Sequence, residues 1–147
     1  MKIVIATESF YPNISGVSVS TFLLAKSLLS QGHQVWVFCP STDFADREEP
    51  CPDLEGLILC RFRSIPNPFR FGFRVSFLPC KRAIRLLHHI APDVVHLQDP
   101  AGITHGVLMG AERMKIPVVM AHHFTLDYIL AYLGFLGPLK HLAQRRL

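Results

Sequence analysis

The chain reads as a doubly wound α/β domain, a Rossmann-like parallel sheet with helices on both faces. Three observations predict this. Short apolar runs at Lys2 to Ala6, Gln34 to Cys39, Val94 to Leu97 and Pro117 to Ala121 show little polar alternation, as strands covered on both faces do. Segments with helical spacing separate them, Val19 to Leu29, Cys80 to Ile90 and Ile103 to Met114. The links are long enough for crossovers, so the strands run parallel in the order 3-2-1-4-5. A length of 147 residues, 50% of them hydrophobic, suffices for one domain with a buried core.

The organising unit runs from Met1 to Pro40. Its first strand, Lys2 to Ala6, leads into a loop, Glu8 to Val17, that ends on the first helix. The start of that helix presents unpaired N–H groups and a positive dipole end, which favour an anion. Val19, Phe22, Leu23, Leu28 and Leu29 predict its inward face. Ser18, Ser20 and Thr21 suit a capped start, and Gly32 ends the helix. Asp43 to Gly56 reads as a polar loop. Leu57 to Arg63 reads as a third, more edge-like strand, in which Ile58, Cys60 and Phe62 alternate with Leu59, Arg61 and Arg63.

Ser64 to Pro79 contains three prolines and Gly72 and reads as an irregular stretch. A loop of that length inside a compact domain is usually functional or mobile. Cys80 to Ile90 follows as a helix with Ala83, Ile84, Leu87 and Ile90 inward, ended by Ala91-Pro92. Val94 to Leu97 is the fourth strand, Ile103 to Met114 a helix and Pro117 to Ala121 the fifth strand. Thr125 to Leu147 reads as helical and apolar with a basic end.

The net charge of +4 conceals an uneven distribution. Six of the eleven acidic residues fall between Asp43 and Glu55. Arg61, Arg63, Arg70, Arg74, Lys81, Arg82 and Arg85 lie in a stretch without Asp or Glu, interleaved with Phe62, Phe69, Phe71, Phe73 and Phe77. Such a composition suits either the headgroup region of an anionic membrane leaflet or a solvated basic face. No recognition motif supports nucleic acid. No apolar run reaches the ~20 residues of a membrane span, so membrane contact would be peripheral.

Cys39, Cys51, Cys60 and Cys80 form no C-x-x-C pair, and Met1 leads straight into a strand. Free thiols, a cytoplasmic location and at most contact with the inner face of the membrane are the expectation. In that compartment the Asn13-Ile14-Ser15 glycosylation pattern is a chance match.

In such a sheet ligands bind outside the carboxyl ends of the strands, where the strand order reverses. Three loops meet on that rim: Glu8 to Val17, Gln98 to Gly102 and His122 to Asp127. Gly16 permits close approach of an oxyanion to the helix start. Asp99 ends the fourth strand as a site residue or as the N-cap of the next helix. His122 and His123 follow the fifth strand, and adjacent side chains there point to different sides, so at most one faces the cleft. His96, within the fourth strand, reads as a core or rim histidine. Neither this pair nor His88-His89 has an evident third ligand, so no metal is expected. The G-x-G-x-x-G fingerprint and the P-loop are both missing, which argues against NAD binding and ATP hydrolysis.

Three motifs in order, MKIVIATESFYPNISGVSVSTFLLAKSLLSQGHQVWVFCP, PDVVHLQDPAGI and IPVVMAHHFTLDYI, carry a resemblance over nearly the whole chain. The chain resembles the N-terminal domain of family-4 retaining glycosyltransferases of GT-B fold. It looks most like lipid-directed members such as phosphatidylinositol mannosyltransferases and glucosyl-diacylglycerol synthases. The resemblance implies transfer of a hexose from a nucleotide-sugar to an acceptor, with membrane lipids among the acceptors. No cofactor or metal is implied.

By position, the resemblance places the donor diphosphate at Gly16, with Ser15 standing where a first glycine is usual and Val17 following. It makes His123 the active-site residue that contacts the transferred sugar. On the acceptor side it implies Asn13, in place of an acidic residue, and Arg74 for the polar head of a phospholipid; Asp99 faces them from the switch point. It also implies a second, nucleotide-sugar-binding domain with a Glu-x7-Glu motif, which these residues do not contain. The 147 residues alone are therefore expected to catalyse no measurable transfer. Two competing readings are half of a sugar-nucleotide 2-epimerase, which shares the fold, and a non-catalytic domain that binds a membrane or a partner.

Overall fold

The computed structural model describes residues 1–68, 72–121 and 123. The strands are β1 (Lys2–Ala6), β2 (Gln34–Pro40), β3 (Arg47–Pro50), β4 (Leu57–Phe62), β5 (Ser64–Pro66), β6 (Arg74–Ser76), β7 (Val94–Leu97) and β8 (Val118–Met120). The helices are α1 (Gly16–Ser30), α2 (Cys80–Ile90) and α3 (Gly102–Met114). Six strands form one sheet in the order β3-β4-β2-β1-β7-β8, all parallel except β3, which pairs antiparallel with β4. The predicted order of five parallel strands is thus present, with one strand added at its edge.

Alternation along β1 divides the core in two. Ile3 and Ile5 face the layer containing Ala25 of α1, Val35, Val37, Leu57 and Leu59. Val4 and Ala6 face the layer of α2 and α3, with Phe38, Phe62, Leu87, Leu97, Ile103 and Val107. The sheet therefore has helices on both faces.

Several expectations are corrected by tertiary contacts. The fully buried residues of α1 are Val17, Ser18, Thr21 and Ala25, and Phe22, Leu28 and Leu29 of the predicted face pack against the same core, whereas Val19 and Leu23 are 38% and 57% exposed. Small side chains let the helix lie close to the sheet, and Thr21 satisfies its hydroxyl on the carbonyl of Val17, 2.8 Å away. The start is capped by Ser15 rather than by Ser18 to Thr21: the Ser15 Oγ accepts from the Ser18 N–H, and the Ser18 Oγ accepts from the Ser15 N–H. Gly32, at φ +81°, ends the helix as expected.

The Asp43 to Gly56 region is not all loop, since β3 lies within it. β4 is consequently an interior strand, buried along its length except at Ile58. Its Arg61 is buried rather than solvated, donating to Glu49 of β3 and to the carbonyls of Tyr11 and Pro40. Phe62 is buried as well. The basic, aromatic stretch is therefore not one continuous outer face. Ser64 to Pro79 is not irregular throughout either, because β5 and β6 pair as an antiparallel hairpin.

Phe69, Arg70, Phe71, His122 and the segment from Thr125 to Leu147 lie outside the described residues. All four cysteines are free. No helix among the described residues is long and apolar enough to cross a membrane.

Candidate functional site

The loops after β1 and β7 meet at the carboxyl rim of the sheet, where His123 also reaches Gln98, and a buried polar network joins the two loops. Asp99, just past β7, is buried. Its carboxylate accepts from the Thr7 hydroxyl at 2.9 Å and from the Glu8 N–H at 2.7 Å. It does not cap α3, whose N-cap is Ala101. Burial raises its pKa above the ordinary carboxylate range, opposed by the donors from Glu8 and Thr7.

Glu8 extends the network in two directions. One oxygen accepts from the Ile103 N–H at the start of α3, 2.6 Å away, and the other from the Ser76 hydroxyl of β6 at 2.7 Å. Burial raises the Glu8 pKa as well, and the nearby Asp99 charge acts in the same direction. Glu8 thus ties the β1–α1 loop, α3 and the hairpin together. Sequence reasoning missed this role, because its partners are 95 and 68 residues away and leave no local pattern.

Beside Glu8 opens a cavity of about 540 Å³, with Asn13, Ser41, Asn67 and Arg74 among its lining residues. The Arg74 guanidinium is held by Ser64, through Nε to the hydroxyl at 2.6 Å and Nη2 to the carbonyl at 2.7 Å. Ser64 in turn donates to the Ser41 carbonyl at 2.5 Å. The structure thus brings Asn13 and Arg74 to one cavity, with Asp99 behind its Glu8 wall.

Gly16, Val17 and His123 do not line that cavity. Gly16 is exposed at the first position of α1, and a Cβ placed there would meet nothing within 4 Å. The first intrahelical bond runs from the Val19 N–H to the Ser15 carbonyl, so the N–H groups of Gly16 and Val17 precede it. Ser15 is already engaged, with its Oγ 2.6 Å from that of Ser9.

His123 Nε2 lies 2.5 Å from the Gln98 Oε1. An amide oxygen only accepts, so the proton of that bond is on His123 Nε2. The Gln98 amide nitrogen faces the His96 Nδ1 at 3.2 Å and donates to it. Gln98 is 1% exposed and is the second residue missed from sequence. The His96 pKa is lowered first by burial and then by His123, which keeps its ring neutral and able to accept. Among the described residues no group of three His, Cys, Asp or Glu side chains could hold a metal ion.

This arrangement can receive an anion at the helix start, orient a hydroxyl-bearing group at His123 and take a polar ligand into the cavity. The glycosyltransferase family 4 model matches residues 14–147. The chain is 34% identical over 127 residues to a GDP-mannose-dependent alpha-mannosyltransferase of Mycobacterium tuberculosis, covering 83% of this chain and 32% of that protein. It is 31% identical over 131 residues to an alpha-monoglucosyldiacylglycerol synthase of Acholeplasma laidlawii, covering 87% of this chain and 31% of the relative. The chain therefore spans about a third of the length of these relatives. The fold superposes on sucrose-phosphate synthase from Thermosynechococcus elongatus with a TM-score of 0.52 at 12% identity, over 84% of this chain and 33% of that one. These matches give no support to the epimerase reading, and the chain belongs to glycosyltransferase family 4.

Proposed function

We propose that the chain forms the acceptor-side half of an enzyme that transfers a hexose from a nucleotide-sugar to a membrane lipid with retention of configuration. The observation that carries this reading is the cavity between Glu8, Asn13 and Arg74, beside the rim that bears Gly16 and His123. The N–H groups of Gly16 and Val17 would stabilise charge developing on the departing diphosphate. Ser15 contributes there by capping and shaping the loop, since its own N–H and hydroxyl are occupied. His123, oriented by Gln98, would hold a hydroxyl of the transferred sugar. Arg74 and Asn13 would hold the polar head of the acceptor, and Asp99 would position Glu8 behind it.

The names of two relatives support this reading, one using GDP-mannose and one making a glucosylated diacylglycerol. Nothing in the scheme calls for a metal or a resident cofactor. The other wall of the cleft, which binds most of the donor, would come from a second domain. Contact with the inner, anionic face of a membrane completes the reading.

The test is hexose transfer from a nucleotide-sugar to vesicle lipid, by the chain joined to a donor-binding domain. Gly16→Val leaves room for the fold, since nothing lies within 4 Å of the new Cβ, and is expected to lower transfer by roughly 100-fold. Undiminished transfer would remove the helix start from the donor site. Transfer is expected to persist in a chelator, and the 147-residue chain alone is expected to show none.

A further inference from the structure

Two histidines share one buried amide, and the amide does not serve them alike. Gln98, just past β7, is 1% exposed, and its backbone N–H donates to the Ala6 carbonyl at 2.9 Å. One end of its side chain lies 3.2 Å from the Nδ1 of His96, two residues earlier on the same side of the strand. The other end lies 2.5 Å from the Nε2 of His123. The Ala121 N–H donates to the Leu97 carbonyl at 2.8 Å, so the pairing of β7 with β8 carries His123 to the amide.

A carboxamide has a direction, since its nitrogen only donates and its oxygen only accepts. With the nitrogen at His96 and the oxygen at His123, both contacts are hydrogen bonds only if His96 Nδ1 bears a lone pair and His123 Nε2 bears a proton. Turning the amide over would require both rings to move their protons to Nδ1. The tautomers of the two rings are thus coupled across Gln98. Burial of the His96 ring, and then the nearby His123, disfavour its charged form, so it remains an acceptor. A buried amide left without a partner is costly, which holds the arrangement in one direction. The consequence falls on His123. With its proton on Nε2, a neutral imidazole can only accept at Nδ1, so a sugar hydroxyl held there must donate.

We propose that His96 is a positioning residue for His123: acting through Gln98, it keeps the His123 proton on Nε2 and leaves Nδ1 as an acceptor for a hydroxyl of the transferred sugar. The sugar contact rests on the reading of His123 given above, whereas the coupling of the rings is testable without a donor. Nitrogen-15 NMR of the histidine rings in the 147-residue chain reads it at about pH 8, above the ordinary imidazole pKa of about 6.5. In the parent, His96 and His123 should each show a protonated Nε2 and a bare Nδ1 with widely separated shifts. A His123 protonated on Nδ1, or two shifts drawn together by exchange between tautomers, would overturn the proposal, and this measurement needs no variant.

In His96→Phe the amide loses the acceptor that sets its direction, and the two His123 shifts should converge while the backbone amide spectrum keeps its dispersion. Shifts identical to the parent's would count decisively against the coupling. In His96→Phe/Gln98→Glu either end of the carboxylate accepts, so the protonated Nε2 of His123 should return without His96. Continued convergence would mean that position 96 acts by packing alone, and the proposal fails. Hexose transfer by the chain joined to a donor-binding domain should fall roughly tenfold in kcat in His96→Phe. Equal transfer by parent and variant, with the rings behaving as expected, would leave the coupling in place and remove His123 from the sugar site.

Discussion

The core between α2 and α3 and the polar rim above it are held by opposite devices. Between the two helices, α3 contributes glycines so that backbones nearly touch: a Cβ on Gly106 would lie 2.8 Å from the Cys80 Cα. At the rim, contact is made by buried carboxylates, Glu8 and Asp99, each surrounded by donors from distant segments. The packed region gains its stability from close contact and tolerates no added volume. The rim retains charged groups whose burial is unfavourable, which is how positions are fixed for chemistry rather than for stability alone.

The difference is broken most severely by Gly106→Val. The atom it would strike is backbone, so neither helix can yield by a rotamer change. A loss of about 4 kcal/mol, measured by denaturant unfolding, is expected. Gly110→Ala should be milder. Its nearest neighbour, the Leu87 Cδ1 at 2.7 Å, is the end of a flexible side chain.

Arg61→Met comes next. The guanidinium binds Glu49 and the carbonyls of Tyr11 and Pro40, so its removal leaves three acceptors without their donor and frees both β3 and the β1–α1 loop. A loss of about 3 kcal/mol is expected in the same assay. If this residue were solvated, as the sequence alone suggests, the loss would be close to zero.

What was legible in the sequence follows from how far each signal reaches. Strands buried on both faces and helices with regular spacing declare themselves locally, and the order of crossovers then places Gly16, Asp99 and His123 on one rim. β3 was not legible because Arg47, Glu48 and Glu49 look like a solvated loop. Their pairing depends on β4, and that of Glu49 on the buried Arg61. The face of α1 was misread because hydrophobicity favoured Leu23 over Ala25, while close packing on the sheet favours the smaller side chain. The Glu8 network depends on contacts between segments far apart in the chain, which periodicity does not report.

Glu8 offers a pH-dependent test of the rim. Its folded pKa is raised above the ordinary value of about 4.3, so the folded state holds its proton more tightly than the unfolded chain. Stability from this group is therefore greatest at low pH and falls as pH rises from the ordinary carboxylate range through the raised pKa. Glu8→Gln cannot titrate and should flatten that part of the unfolding-stability profile. Parallel profiles for the two proteins would show that Glu8 is not buried in this way.

The smallest effect is expected at Leu23, and it separates the two views of α1. On helical spacing alone Leu23 belongs to the buried stripe, where truncation to a small polar residue would cost about 3 kcal/mol. In the structure it is 57% exposed, while Ala25 is fully buried against the layer of Ile3, Ile5 and Val37. Leu23→Ser should then change unfolding stability by no more than about 0.5 kcal/mol. A loss several times larger would mean that the helix turns its longer side chains toward the sheet. The cap at Ser15 and the N–H groups of Gly16 and Val17 would then rotate away from the rim.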